Sequence, residues 1–490
     1  MDIAITLDNQ AALPLHRQLY EELRRSILSG RLAPGQRVPS TRVLASSLGI
    51  SRATVTQSYE QLLSEGYFQA ITGSGTFVGR HLPDDLLRTT PVKAATQMQR
   101  SARRSVRLSS YGASVADTEP FEPPGHEAQI NFRHGRPAFD AFPLRQWRRL
   151  LLRHCRAGER AMLDYTLDSL GHEPLREAIA QHLARSRAVA CKADQVIIVS
   201  GSQQALDLIT RVLVERGETI ALEDPGYLGA RRTFLAQGAK LLPVPVDNSG
   251  MIVERLISRS ATQPKLIHIT PSHQFPTGAV LSLQRRLELL AWAAKSSAMI
   301  VEDDYDSEYR YGSRPIPALQ GLDQSGSVIY VGTFSKVLFP ALRVGYLVVP
   351  RTLTHVFARA KWLTDRQSPL LEQYALADFI NEGHFERHLR RMRTLYDLRR
   401  RAVIRALAHH FGERATVIGE SAGMHLMARL QTQFSGEEVM QRAEEVGVGL
   451  ASARPYFLKA RWRNEFVFGY ASLSERKIQE GIRRLAQVLS

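Results

Sequence analysis

The sequence predicts a multidomain chain in which a small α+β unit precedes a large α/β unit. Residues 1–80 are dense in helical apolar spacing, are punctuated by glycines, and end in a glycine-rich turn. Residues 81–128 lack sustained apolar periodicity and hold Pro83, Pro91, Pro120, Pro123 and Pro124. From Ile130 onward, short apolar runs alternate with helical stretches, the pattern of a largely parallel sheet covered on both faces. The length of 490 residues agrees, because roughly 100–200 residues make one domain. The expected boundaries are therefore 1–80, a linker over 81–128, and 129–490.

Composition narrows the class. Hydrophobic residues make up 44% of the chain, enough for large cores. No stretch approaches the ~18 apolar residues of a membrane-crossing helix. The start, Met1-Asp2-Ile3-Ala4, has no basic or apolar signal pattern. Two cysteines, Cys155 and Cys191, cannot make a disulfide framework or a four-thiolate metal site, and no metal is expected. A cytoplasmic protein is the expectation. The net charge of +16 suggests nucleic acid or a membrane surface as partner. Its distribution is uneven: residues 1–80 carry +2, residues 81–128 carry 0, and the remainder carries +14.

In the small unit, Pro14 opens a helix with Leu15, Leu19, Leu23 and Ile27 on one face, and Gly30 stops it. Ser40 is placed to cap a helix over 41–48, which Gly49 ends. Ser51 is placed to cap a third, from Arg52 to about Glu65, with Val55, Tyr59 and Leu62 toward the core. Two short helices joined by a tight glycine turn form a helix-turn-helix, whose third-helix start reaches base edges. Tyr67-Phe68, Thr72-Gly73-Ser74-Gly75 and Thr76-Phe77-Val78 read as a hairpin, or wing. Arg17, Arg24 and Arg25 read as a solvated face. This stretch resembles the GntR-type winged helix-turn-helix, on Pro39-Ser40-Thr41-Arg42, Leu48-Gly49-Ile50-Ser51-Arg52-Ala53-Thr54-Val55 and Gly73-Ser74-Gly75-Thr76-Phe77-Val78. The resemblance implies double-stranded DNA as partner. It places Arg42 and Arg52 at DNA-contacting positions, and Ser40, Thr54, Gly75 and Thr76 near the backbone or minor groove. Arginine suits this work because its planar fork engages guanine or phosphate at two points.

The chain is poor in lysine, with nine against 55 arginines. One lysine stands at a strand end, in Gly332-Thr333-Phe334-Ser335-Lys336, and Arg343 follows seven residues later. Hydroxyls and an arginine around such a lysine fit a Schiff base beside a phosphate site: Thr333, Ser335 and Arg343 for the phosphate, Lys336 for the aldehyde carbon. Glu302-Asp303-Asp304-Tyr305-Asp306 follows another apolar run. Such acids are either a solvated loop or the mouth of a parallel strand, where ligands bind. Asp303 can pair with a protonated pyridine nitrogen, worth about 4 kcal/mol at ~4 Å before desolvation. Tyr305 can hydrogen-bond a ring hydroxyl. Ser200-Gly201-Ser202-Gln203 reads as a strand–turn–helix junction aiming N–H groups at an anion. Tyr227 either stacks on a cofactor face or packs in the core.

Together these residues resemble the fold-type I aminotransferases that use pyridoxal 5'-phosphate (PLP), over roughly 130–490. The resemblance implies a smaller C-terminal α+β subdomain and a homodimer. Pro271-Ser272-His273-Gln274-Phe275-Pro276-Thr277-Gly278 matches the family's Asn-Pro-x-Asn-Pro-Thr-Gly loop in altered form. Phe275 stands where the ring-contacting asparagine belongs, so either Gln274 makes that contact or none is made. A GntR-type reader joined to such a domain resembles the MocR/GabR regulators, and the wording of both the 271–276 and 302–308 stretches agrees. That resemblance implies a PLP-dependent regulator with Lys336 as its catalytic-type residue, an effector that is PLP or an amino compound, a domain-swapped dimer and an operator of two half-sites.

One departure concerns the effector. The family's carboxylate-binding arginine aligns with Ser472, and serine cannot make a bidentate charged pair. Arg454, Arg231 and Arg232 are the candidates to replace it. The expected effector is accordingly not an ordinary α-amino acid held by the usual arginine. The competing functions are an aminotransferase carrying a reader, and a DNA-binding protein whose large domain is only a dimerisation scaffold.

Overall fold

The computed structural model describes residues 5–8, 10–84, 106–116, 118, 128–156, 164–165, 168–258, 263–311, 316–459 and 461–490. Most of the expected linker, including Pro91, Pro120, Pro123 and Pro124, lies outside the described residues, as do residues 1–4. The chain divides into two compact units, Met1–Arg107 and Leu108–Ser490. Within the segment read as linker, Ser110–Ala116 is a short helix and belongs to the larger unit.

The small unit follows its punctuation. Helix α1 (Leu15–Leu28) buries Leu19, Leu23 and Ile27. Helix α2 (Thr41–Leu48) is capped by the Ser40 hydroxyl, which accepts from Val43 N, and ends at Gly49 with φ +66°. That left-handed conformation is the one glycine adopts without steric cost. Helix α3 (Arg52–Ser64) is capped by Ser51 and buries Val55, Ser58, Tyr59 and Leu62. Strands β1 (Phe68–Ile71) and β2 (Gly75–Val78) form the antiparallel hairpin. One cluster joins these elements, with Tyr59 edge-on to Phe68 at 5.0 Å.

The large unit contains β3 (Ile130–Asn131), β4 (Val196–Val199), β5 (Thr219–Asp224), β6 (Lys240–Asp247), β7 (Gly250–Met251), β8 (Leu266–Ile269), β9 (Met299–Asp304), β10 (Val328–Thr333) and β11 (Gly345–Val348). Its C-terminal part adds β12 (Ala415–Ile418), β13 (His425–Leu430), β14 (Val448–Gly449), β15 (Ala451–Ser452) and β16 (Glu465–Gly469). The main sheet runs β4-β11-β10-β9-β8-β5-β6-β7. Strands β6, β5, β8, β9 and β10 are parallel, and β11 is antiparallel to both of its neighbours. The reason is connection length: the residues between β10 and β11 are too few for a crossover helix, so the chain must turn back. Strand β6 carries Pro243 and Pro245, which hid it in the sequence. It pairs β5 along its length and only a two-residue strand on its other side, a place where proline is tolerated.

The second sheet, β12-β13-β16-β15, is antiparallel and forms the smaller subdomain that the resemblance implied. The helices that shape the site are α4 (Glu173–Arg187), α5 (Ser202–Leu213), α6 (Leu228–Ala236), α7 (Arg351–Asp365) and α8 (His384–Phe411). The C-terminal ends of β4, β5, β9 and β10 open on one side, where ligands gather in such sheets. Gly332, near the end of β10, is obligatory for packing: an added Cβ would lie 2.2 Å from the Tyr346 ring.

Candidate functional site

Four strand ends deliver the chemistry expected from the sequence. Thr333, Ser335 and Lys336 come from the end of β10, and Asp303 and Tyr305 from the end of β9. Ser202 and Gln203 start α5 after β4, Tyr227 follows β5, and Arg343 precedes β11. All nine line one cavity of about 210 Å³. Gln274 does not. Its Nε2 donates to the carbonyls of Pro225 (2.8 Å) and Phe275, while its Oε1 accepts from Thr277. With the amide engaged by Pro225 and by its own loop, the Phe275 ring lines the cavity in its place. Gln203 lines the cavity edge while its amide donates to Gly229 O at 3.2 Å.

The Lys336 amine donates to Gly135 O at 3.2 Å. Gly135 has φ +75°, and a Cβ there would sit 2.6 Å from Nζ, so only glycine leaves the amine its place. Burial lowers the Lys336 pKa, Asp306 opposes this, and Arg133 adds to it. A lowered amine is a readier nucleophile. In the same cavity, the Ser335 hydroxyl is buried without a hydrogen-bond partner, and Ser335 N donates to Thr333 Oγ1 at 3.1 Å. Arg343 donates to Ser200 O. Gly201 has φ +96°, and a Cβ on it would meet the Arg343 guanidinium at 3.1 Å. The helix α5 N-terminus, the arginine and the unpaired hydroxyl make the cavity suited to an anion. Asp303 is buried at the cavity wall and faces His268 Nε2 at 3.4 Å.

Sequence reading missed the imidazoles. His134 and His425 line the cavity with Thr270, Asp306 and Met424. Burial, then Lys336 and Arg133, push His134 down to about 3. Burial, then His273 and His134, hold His425 well below its ordinary value. Both are neutral near pH 7. No local motif marks them, because β3 and β13 bring together residues almost 300 positions apart. Among the described residues, His273, Asp306 and His425 bring one ligand-type atom each within 4.8 Å. His273 Nδ1 and both Asp306 oxygens are already engaged with protein groups.

The candidate replacements for the missing carboxylate arginine do not line the cavity. Arg454 is exposed and pairs with Glu437 at 3.2 Å. Arg231 donates to Pro455 O at 2.8 Å. Neither Arg232 nor Ser472 is among the lining residues.

Beneath the 271–278 loop, Glu223 Oε2 accepts from Thr270 N (3.0 Å) and Thr270 Oγ1 (2.5 Å), with Gln274 Nε2 at 3.3 Å. Burial pushes Glu223 up to about 7 against these bonds. A carboxyl raised on folding binds its proton more tightly in the native state. Its stabilisation is full below the unfolded pKa of about 4.5 and is lost as pH rises through about 7. The loss is on the order of 3 kcal/mol. Denaturant melts of the large unit between pH 4.5 and 7 are expected to lose this component in Glu223→Gln; an unchanged slope in that variant contradicts it.

In the small unit, Arg42 and Arg52 are exposed, and Thr54 Oγ1 meets Ser51 Oγ at 2.8 Å. Ser40 holds the α2 cap, Gly75 is exposed at φ +118°, and Thr76 is half-buried. Arg37, not singled out from the sequence, places its guanidinium 3.0 Å from where a Gly75 Cβ would be. Arg24 departs from the expected solvated face, since it donates to Tyr67 OH at 2.7 Å and pairs with Asp84 at 3.1 Å.

Comparison with known proteins places both halves. Residues 15–78 match the model of the bacterial regulatory proteins of the gntR family, and residues 127–485 match aminotransferase class I and II. The chain is 42% identical over 98% of its length to the probable rhizopine catabolism regulatory protein MocR of Rhizobium meliloti, covering 95% of that protein. It is 34% identical over 99% of its length to the HTH-type transcriptional regulator YdeL of Bacillus subtilis, covering 99% of that protein. Among solved structures, LysN, the α-aminoadipate aminotransferase of Thermus thermophilus complexed with N-(5'-phosphopyridoxyl)-L-leucine, matches with a TM-score of 0.69. That match has 30% identity and covers 78% of this chain and 95% of LysN. With a gntR-type reader, a class I and II aminotransferase domain and full-length relatives of the same build, the chain belongs to the MocR-type HTH transcriptional regulators.

Proposed function

We propose that this regulator binds pyridoxal 5'-phosphate at Lys336 and uses that site to sense an amine, with the readers of a domain-swapped homodimer on two operator half-sites. The observation that carries the cofactor reading is the set of groups that one cavity brings together. This cavity is lined by a depressed lysine amine, an unpaired Ser335 hydroxyl, Arg343 and the α5 N-terminus after the Gly201 turn. These residues fit the group: Ser335, Arg343 and Ser202 would hold the phosphate, Asp303 the pyridine nitrogen, and Tyr305 the ring hydroxyl. When bound, PLP supplies an electrophilic aldehyde carbon and an electron-withdrawing ring. Tyr227, which lines the same cavity, would cover the ring face, and Lys336 is the residue that would join it.

The walls also bear on the effector. Arg343 is the only arginine among the described lining residues, and it sits by the Gly201 turn. Besides Lys336, the remaining walls offer the acids Asp303 and Asp306, neutral imidazoles, aromatic rings and hydroxyls. A carboxylate there would face no fixed partner cation, so the effector is an amine whose recognition does not rest on a carboxylate–arginine pair. The direct test adds PLP to cofactor-free protein, reduces the Schiff base with borohydride and maps the labelled peptide. Label on Lys336 supports the reading; a stable label elsewhere, or none, overturns it. Sustained turnover with amino-acid and keto-acid pairs would instead favour an aminotransferase carrying a reader.

For the reader, Arg52→Ala is expected to weaken operator binding by about 1–3 kcal/mol if it reads a base. If it contacts a phosphate, binding weakens across all sequences and the salt slope falls by about one. Fluorescence anisotropy over a salt series separates the two. Unchanged binding in that variant removes Arg52 from the interface.

A further inference from the structure

Behind Tyr305 lies a buried pair that neither the family resemblance nor the cofactor reading assigns. His273 Nδ1 is 2.9 Å from Asp306 Oδ1 and also 2.9 Å from the Tyr305 hydroxyl. The other Asp306 oxygen accepts from Met424 N at 3.1 Å. Both side chains of the pair are about 1% exposed. The second ring nitrogen, His273 Nε2, is buried with no partner.

That orphan settles where the proton sits. An N–H at Nε2 would be a buried donor without an acceptor, whereas a bare lone pair there costs less. The proton therefore rides on Nδ1, beside an acidic side chain whose two oxygens both face donors. An Nδ1–H between Asp306 and Tyr305 can only donate. The Tyr305 oxygen accepts from it, and the tyrosine's own O–H must point elsewhere, toward the cavity that Tyr305 lines. The local chain is shaped around this pair. Gly423 has φ +78°, and a Cβ on it would lie 1.9 Å from His273 Cε1 and 2.6 Å from Asp306 Oδ2.

We propose that His273 and Asp306 are positioning residues that fix the Tyr305 hydroxyl as a donor into the cavity, poised for an oxyanion on the bound ring. This rests on the PLP reading of the site. Its consequence is proton-linked: a donor held on the ring oxygen favours the form in which the Schiff-base nitrogen has lost its proton, because that nitrogen then no longer shares the oxygen's charge. The pair thereby sets the pH at which the site changes charge.

The surroundings of Tyr305 are defined. Burial raises its pKa well above the ordinary value, and Asp306, Asp303, Glu223 and Asp304 add to this in that order. His425 stacks on it at 6.4 Å and is held neutral by burial. Lys336 shares the same cavity. Burial raises Asp306, and His273 pulls it back. Asp303, Asp304, Glu223, His425 and Lys336 remain in every variant below, so differences between variants report on the pair and the hydroxyl.

The test is a pH titration of Schiff-base absorbance in the full-length PLP-loaded protein. His273→Leu is expected to move the midpoint alkaline by about one unit, and Tyr305→Phe by at least as much. The double variant should move no further than Tyr305→Phe alone, because the pair acts through the hydroxyl. His273→Asn, whose amide nitrogen can take the place of Nδ1–H, should restore most of the shift. Additive shifts, or an unmoved midpoint in His273→Leu beside a moved one in Tyr305→Phe, overturn the proposal. Should His273→Leu fail to fold, His273→Phe, which also lacks the N–H and leaves the Asp306 side chain in place, must shift in the same direction, and no shift there overturns it. Independently of any cofactor, ¹⁵N NMR of histidine-labelled protein is expected to find His273 protonated at Nδ1 alone; an Nε2–H form contradicts the inference. A wild type with no Schiff-base band but an Nδ1–H His273 would instead fail the PLP reading.

Discussion

Replacing Lys336 with alanine is expected to abolish the Schiff-base absorbance and lower the affinity for PLP by two orders of magnitude or more, a loss of about 3 kcal/mol or greater. The amine has one hydrogen bond, to Gly135 O at 3.2 Å, and its surroundings disfavour its charge. It is therefore placed for reaction and adds little to the fold. Its removal should leave the stability of the cofactor-free protein within about 1 kcal/mol of wild type. The anion-binding groups, Ser335, Arg343 and the α5 N-terminus, remain in the variant, so weak phosphate-anchored binding persists. Equilibrium dialysis and absorbance measure the first effect and denaturant melts the second. A variant that keeps the wild-type absorbance and affinity would show that another group carries the cofactor. A variant that unfolds would show that Lys336 is structural.

Replacing Arg187 with methionine is expected to cost the large unit about 3–5 kcal/mol, the range for removing one partner of a buried ion pair. Arg187, at the end of α4, donates to Asp304 Oδ2 at 2.9 Å, with side-chain exposures of 4% and 2%. It also reaches Ser272 Oγ and Ile316 O. Burial alone would lower its pKa, yet Asp304, Tyr330 and Glu302 leave it raised. Without the guanidinium, Asp304 keeps the Tyr330 hydroxyl at 2.6 Å but loses its ion-pair partner, and lies buried beside Glu302 with Arg286 as the nearby cation that remains. Because Asp304 neighbours Asp303 and Ser272 neighbours His273, PLP affinity should fall as well. Urea unfolding is the measurement, with the midpoint lowered and the slope unchanged. A cost below 1 kcal/mol would mean that Asp304 finds its compensation elsewhere.

Much of this architecture was legible because it is encoded locally. Ser40, Gly49 and Ser51 fix the α2 and α3 ends through caps and a left-handed turn, so the reader's helices fall within a residue or two of expectation. The lysine strand was visible because its apolar run ends in Thr333-Phe334-Ser335-Lys336. Strand β6 was not, because Pro243 and Pro245 argue against a strand until the weakly paired far side is seen. The run Tyr346–Val349 was legible as a strand, but the antiparallel direction of β11 was not, since an apolar run carries no direction. In the site, residues on strand ends were found from spacing, whereas His134 and His425 arrive from β3 and β13 by folding alone. Gln274 illustrates the limit of motif alignment: its neighbour's departure from asparagine was legible, but only the fold shows its amide engaged with Pro225 and Thr277.

The charge distribution has a related reading. Only +2 of the +16 belongs to residues 1–80, so the DNA-binding assignment rests on residue pattern and family, not on net charge. The proposed coupling between the two units is the central claim of this account. It requires that a ligand at Lys336 change the affinity of the readers, and such couplings are typically about 1–3 kcal/mol. The most direct measurement is operator affinity by anisotropy at fixed salt, using DNA recovered by genome-wide mapping, with and without saturating PLP. The wild type is predicted to change its affinity by about 5–150-fold, and Lys336→Ala not to change. Equal affinities with and without PLP in the wild type, or the same change in Lys336→Ala, would contradict it.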